Sequence, residues 1–415
     1  MDKGTTRSAF AEYLFPLGAE SILQELNRLR LDRYVKKFGT VPLIGLFVFA
    51  QVRQVGSLTD ISLELAANGD VQKELGLKSI STAQLSRRLR DIPPEFMDFV
   101  FRQCVQQIYD QVGMRRANEK LGRIHLVDSS TITMCLSQYR WAEFRKTKAG
   151  VKMHLRLVFM DRQVIPDKVI LTHARHADRT KMDELIVVEK DALNVYDRGY
   201  VDYRKFDDYC KAKTRFVTRL KDNAVIHEVL EERMVVPDSP VIRDALVRLG
   251  SYPNYVMEHP LRLIKTTDSE GNPVTILSND AKLSAEEICD VYRRRWQIEL
   301  FFKWVKQHLV LKHLYGKSEA AVYNQLRLAL ITYCLLVLMQ LKAAHRGKLL
   351  EVYKCIRLYW DKDFAEFVRA LYKRPSRTSR GRRRSQTERI FAETLQQYID
   401  GDTEHLETIT YDPII

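Results

Sequence analysis

The sequence predicts an α/β protein, with a mixed sheet and helices packed on it, a β-rich insertion and an all-helical N-terminal domain. Three observations predict this. Apolar residues keep helical spacing to about residue 118, as in VPLIGLFVFAQV and FMDFVFRQCVQQIYDQV. From Arg123 β-rich runs take over, strands first and then strand and helix in alternation. Between 222 and about 282 the turn signals PDSP, SYPN and DSEGNP break that alternation.

In chain order, residues 1–118 form the helical N-terminal domain. Within it, Ser81 or Thr82 can cap a helix whose outer side carries Gln84, Arg87, Arg88 and Arg90, and which Pro93 and Pro94 end. A short basic helix after a turn resembles the reading helix of a helix-turn-helix module, although an ordinary capped surface helix has the same pattern. The core occupies 119–221 and 283–345. RIHLVDSS, TITMCL, VKMHLRLVFM and KVILTH read as strands and TKMDELIVVEKD as a helix. LNVYDRGY follows as a strand, YRKFDDYCKAK as a helix and RFVTRL as a strand. The insertion, 222–282, contributes the β-like runs YVME, LRLIKTT and PVTILSN. SAEE at 284–287 is a capping box opening a long helix. Residues 346–415 read as a helical C-terminal region. It contains a basic arm, KRPSRTSRGRRR at 373–384, which carries no acid and is suited to phosphate contact.

The formal net charge of +14 points to an anionic partner, nucleic acid before a membrane surface. MDKGTTRSAFAEY has no apolar core, so no signal peptide is expected. The longest apolar run, Leu328 to Met339, is too short to span a bilayer and reads as a buried helix. The six cysteines are scattered without a CxxC pair. They read as reduced core thiols of a cytosolic protein, not as a zinc site or disulfide framework. The chain has neither a P-loop nor a GxSxG elbow, which turns attention from nucleotide hydrolysis and serine or cysteine acyl transfer.

The richest stretch is YRRRWQIELFFKWVK, Tyr292 to Lys306. At about 100° per residue, Tyr292, Arg295, Glu299 and Lys306 fall on one narrow stripe, joined by Lys303 and Trp296. Ile298, Phe301, Trp304 and Val305 fall on the opposite, core-facing side. A lone carboxylate among cations and aromatics suits a metal ion beside a phosphate backbone. The same face could equally be a surface helix with Glu299 paired to Arg295 or Lys303. Two further acids stand at expected strand ends. Asp128 follows the run Ile124–Val127, and Asp197 follows LNVY and precedes Arg198, Gly199 and Tyr200. Three hard oxygen donors from two strands and a helix suit Mg²⁺ or Mn²⁺. His154, His173 and His176 read as structural residues, and whether His176 and Asp178 join the acidic site is left open by the sequence.

The order Asp…Asp…Glu, with Tyr292-x2-Arg295-x3-Glu299-x6-Lys306, resembles the insertion-sequence DDE transposases of the "IS-four" family, whose signature is Y-x2-R-x3-E-x6-K. VDSST at 127–131 and DRGY at 197–200 resemble that family's first and second acidic blocks. The resemblance covers about 121–345. It implies a ribonuclease H-like core in which Asp128, Asp197 and Glu299 bind two catalytic Mg²⁺ or Mn²⁺ ions. Tyr292, Arg295 and Lys306 would hold phosphates of a transposon end, with Lys303 a weaker addition. Trp296 would help manage a base turned out of the helix, and Arg219 and Lys221 would contact end DNA. The implied partners are double-stranded DNA, as terminal inverted repeats and target, and a second copy in a DNA-bound homodimer. The implied activity is cut-and-paste transposition. A ribonuclease H-like nuclease or resolvase, and a catalytically silent DNA-binding descendant, are the alternatives. The family's insertion usually supplies an aromatic to receive a flipped base; here the only aromatics between 222 and 282 are Tyr252 and Tyr255, with no tryptophan, which leaves a hairpin step open.

Overall fold

A computed structural model describes residues 7–373 and 396, apart from 36, 114–119, 161–162, 238 and 269–270. The described residues open with seven α-helices: α1 (Ala9–Leu14), α2 (Glu20–Arg28), α3 (Thr40–Arg53), α4 (Leu58–Ala67), α5 (Gly69–Leu75), α6 (Thr82–Asp91) and α7 (Pro94–Val112). Ser81 caps α6 as expected, its hydroxyl accepting from the Gln84 amide. The strands follow as β1 (Arg123–Cys135), β2 (Glu143–Arg145), β3 (Lys148–Met160) and β4 (Gln163–His173), and then one helical turn, α8 (Met182–Leu185). Next come β5 (Ala192–Tyr196), α9 (Tyr203–Lys211) and β6 (Arg215–Arg219). The insertion holds β7 (Ile226–Arg233), β8 (Val241–Leu249), β9 (Leu261–Thr267) and β10 (Pro273–Ser278). Helices α10 (Ala285–Arg293), α11 (Trp296–His308), α12 (Glu319–Lys342), α13 (Leu349–Tyr359) and α14 (Phe364–Leu371) complete the described chain.

The sheet is mixed, as expected. β4, β3 and β1 pair antiparallel, and β5 and β6 run parallel to β1 and to each other. The insertion is not a detached unit. β10 pairs antiparallel with β6, and β9, β8 and β7 continue the same sheet outward. A buried carboxylate fastens its far loop to the core: Asp207 on α9 accepts from the Tyr255 hydroxyl at 2.7 Å and from the Glu258 and His259 amides at 2.9 and 2.8 Å.

Several expectations are corrected here. RIHLVDSS and TITMCL form one strand, β1. TKMDELIVVEKD yields only α8 and the 3-10 turn before it. YVME contributes a single bridge, Val256 to Gly250, whereas β7 and β8 form outside the three runs expected of the insertion. β7 is an exposed edge strand, so its side chains show none of the alternation that marks a half-buried strand. The long helix after Ser284 is two helices. Its capping box forms, but the amides of Arg295, Gln297 and Ile298 bond three residues back rather than four, so the helix tightens and breaks at Arg294–Arg295. Cys135 is exposed, not a core thiol; all six thiols are free. The basic arm from residue 374 onward lies outside the described residues.

Helix α12 sits at the centre of the helical layer and packs against α7, α3, α6 and α13. It is long and apolar enough to cross a bilayer by length and composition, and 89% of its apolar window is buried within the fold. Two of its buried amides serve backbone at helix ends elsewhere. Asn324 donates to the Leu89 and Ile92 carbonyls at the end of α6, and Gln325 donates to the Val310 and His313 carbonyls after α11. Buried polar groups must find partners, so these bonds fix both helix ends against the core.

Candidate active site

The parallel pairing of β1, β5 and β6 assembles the site. Val127 lies opposite Tyr196, and Tyr196 opposite Thr218. The next residue on each strand is Asp128, Asp197 and Arg219. Neighbouring strands lie about 4.8 Å apart, so this register sets two acids and a cation in a row at the carboxyl ends of the parallel pairs. The expected end of the first strand is corrected. β1 continues past Asp128 to Cys135; it is β5 that stops at Tyr196, and this opens the sheet beside Asp128. Asp197 begins a 3-10 turn and caps it, its Oδ1 accepting from the Gly199 amide at 2.8 Å.

Helix α11 packs on β1 and supplies the third acid. Ile298, Phe301, Trp304 and Val305 are buried, as the periodicity predicts, while Tyr292, Arg295, Glu299, Lys303 and Lys306 are half-buried. Arg295 joins two of the acids: its Nη2 donates to Glu299 Oε1 at 2.6 Å and its Nη1 lies 3.7 Å from Asp128 Oδ2. Asp128 is half-buried, its side chain 16% exposed, and its Oδ1 accepts from the Ser129 amide at 2.7 Å. Burial and the charge of Asp197 push its carboxyl up to about 7; Glu299 adds to this, while the Ser129 amide and Arg295 oppose it. Thus both other acids act on Asp128 although they are remote in sequence.

This donor set fits a divalent cation chemically. It is all hard oxygen, and its central member is held where a second positive charge would relieve it. As they stand, no three donors among the described residues already lie within one ion's shell. The Arg295 guanidinium is the cation between Asp128 and Glu299.

The remaining predicted residues divide. Arg219 acts electrostatically on Tyr292, and Tyr292 packs beside Arg295. Lys221 lines a shallow depression of about 520 Å³ with Asp197, Arg198, Gly199, Asp222 and Asn223. Trp296 is 57% exposed at the start of α11. Arg87 faces outward on α6. Arg88 is corrected: its guanidinium turns inward to Asp32, the Phe38 carbonyl and Thr40, so it braces α6 rather than presenting a cation. In the insertion, Tyr255 is tied to Asp207, whereas Tyr252 is 79% exposed and meets the His227 ring edge-on. Asp178, whose place the sequence leaves open, gathers with Ser129 and Lys152 behind the acids. Ser129 follows Asp128 directly, but nothing in the spacing of Asp178 marks it.

A family model described as the transposase DDE domain matches residues 119–335. A protein described as a probable transposase of insertion sequence element IS5377, from Geobacillus stearothermophilus, is 30% identical over 64% of this chain and 69% of its own length. A protein of Sinorhizobium fredii named as transposase y4zB is 33% identical over 57% of this chain and 66% of its own. Among solved structures, a piggyBac transposase synaptic complex with hairpin DNA aligns over 90% of this chain and 83% of that one, at 11% identity and a TM-score of 0.43, a likeness too loose to support an argument.

Proposed function

The chain belongs to the transposase DDE domain family, and we propose that it cuts DNA at transposon terminal inverted repeats and joins the freed 3′ ends to target DNA. One observation carries this reading: Asp128 and Glu299 meet the same guanidinium, and Asp197 stands beside Asp128 across the parallel strands. A domain of this family depends on divalent metal. We assign two Mg²⁺ or Mn²⁺ ions to Asp128, Asp197 and Glu299. When bound, they would supply an activated attacking oxygen and a stabilised leaving one.

The protein's own residues hold the substrate. A DNA phosphate competes with Glu299 and Asp128 for the Arg295 fork, and a guanidinium binds phosphate in the same bidentate way as carboxylate. Release of Arg295 to the phosphate frees both acids. Tyr292 and Arg219 flank that phosphate, Lys303 and Lys306 extend the contact along α11, and Lys221 receives DNA at the depression beside Asp197. Trp296 offers an exposed ring to an unstacked base. Arg87 contacts backbone from α6, which Arg88 holds in place. Two copies bind two ends as a homodimer.

The test is strand transfer with a labelled terminal-repeat oligonucleotide in Mn²⁺. Joined products are expected from the wild type, and none from Glu299→Gln, which still binds the end. Cut ends without joined products would make the protein a nuclease or resolvase. A Glu299→Gln protein that cuts as well as wild type would remove Glu299 from the chemistry.

A further inference from the structure

A fourth carboxylate lies behind the acidic site. Asp178 opens the 3-10 turn Asp178–Lys181 that follows β4. Its Oδ1 accepts from Ser129 Oγ at 2.6 Å and forms an ion pair with Lys152 Nζ at 3.1 Å, and His154 Nδ1 stands 3.6 Å away. Lys152 also donates to the His176 carbonyl at 2.9 Å. His154 is fully buried, with its Nε2 bonded to Thr172 Oγ1 at 3.0 Å.

Side chains alternate along a strand, so Ser129 and Val127 point away from Asp128. Val127 packs with Met182, Tyr196 and Tyr200, whereas Leu126 belongs to the core shared with α11. Asp178 therefore sits under the face of β1 opposite Arg295 and Glu299. It reaches the site through Ser129, whose hydroxyl bonds Asp178 and whose amide bonds Asp128 Oδ1 at 2.7 Å. It also closes against the second acidic turn. A Cβ added at Gly199 would lie 3.0 Å from Asp197 Oδ1 and 3.7 Å from Asp178 Oδ2. Lys152 neutralises Asp178, so its charge adds little to the repulsion among the other acids.

We propose that Asp178, held by Lys152, is a positioning residue that fixes Ser129 and the turn at Gly199 and so sets the orientation of Asp128 and Asp197 toward divalent ions. This rests on the assignment of those acids to metal. Two variants, Ser129→Ala and Asp178→Ala, test it, with circular dichroism and end-DNA binding as controls for folding. Mn²⁺ affinity of the DNA-free protein is read by electron paramagnetic resonance, and cleavage by single-turnover kinetics at saturating end DNA. Each variant should bind Mn²⁺ about tenfold more weakly and cleave more slowly by about the same factor, with end affinity unchanged. Ser129→Thr, which keeps the hydroxyl, should recover both. The double variant should lose no more than Asp178→Ala alone, because that change already breaks the link to Ser129. Wild-type Mn²⁺ affinity in both single variants, a folded Ser129→Thr no better than Ser129→Ala, or additive losses in the double variant would overturn the proposal. If wild type binds Mn²⁺ but cuts no DNA, the transposase reading fails while the Mn²⁺ titration still judges Asp178. A wild type that binds no Mn²⁺ fells both.

Discussion

Replacing Asp128 with asparagine should make the metal-free protein more stable, by an amount that grows with pH. The native carboxyl titrates at about 7 against an ordinary 3.8, with burial the main cause and Asp197 the next. Between those two values the native state holds a proton that the unfolded chain has released. Stability therefore falls as pH rises through that window, and the full penalty is present above the native value. At about 1.36 kcal/mol per unit, the displacement amounts to about 4 kcal/mol at pH 8 and about 1 kcal/mol at pH 4.5. Asparagine carries no charge to desolvate and escapes this cost. Urea unfolding of both proteins in EDTA at the two pH values measures the gap between them, and groups remote from Asp128 cancel in the difference. Saturating Mn²⁺ at pH 8 should then stabilise wild type more than the variant, since only wild type retains all three acids. A gap that does not widen with pH, or an asparagine variant less stable at pH 8, would refute a buried carboxylate under repulsion from its neighbours.

Arg295→Gln should raise Mn²⁺ affinity of the DNA-free protein by about tenfold or more, since a cation in contact with Glu299 and near Asp128 is removed; unchanged affinity would mean that the guanidinium does not compete with the ion. Lys306→Ala should lower the salt slope of end binding by about one unit as a phosphate contact is lost, and an unaltered slope would argue against direct contact. Asp197→Asn should abolish cleavage and spare end binding in a gel-shift assay, and a variant that still nicks would exclude Asp197 from the metal set. Asp207→Ala should cost about 2–4 kcal/mol by stranding the Glu258 and His259 amides and the Tyr255 hydroxyl. Hydrogen exchange at 255–259 should rise, and protection equal to wild type would show that the insertion is held by other means.

Much of the site was legible because its signals are local. The apolar side of α11 follows from a period of 3.6, and Ser284 with Glu287 announces a helix start through side-chain chemistry alone. Strands β1 and β5 show as apolar runs because both faces of a parallel pair are covered. The illegible parts depend on surroundings. β7 has no core beneath it and so no alternation. Arg88 shows the same charge as Arg87 in sequence, and only the position of Asp32 turns it inward. Asp178 is unremarkable in its own segment, and its importance comes from Ser129, 49 residues earlier.

The sequence by itself determined which residue types were available, three separated acids and the Y-R-E-K stretch, and with them the kind of chemistry and the charge of the partner. Only the tertiary structure decided that Asp128 and Asp197 stand side by side, that Arg295 lies across Asp128 and Glu299, and that Asp178 braces the set from the far face of the sheet. The physical reason is register: hydrogen bonds between β1, β5 and β6 choose which residues of distant segments become neighbours, and no local pattern within any one strand encodes that choice.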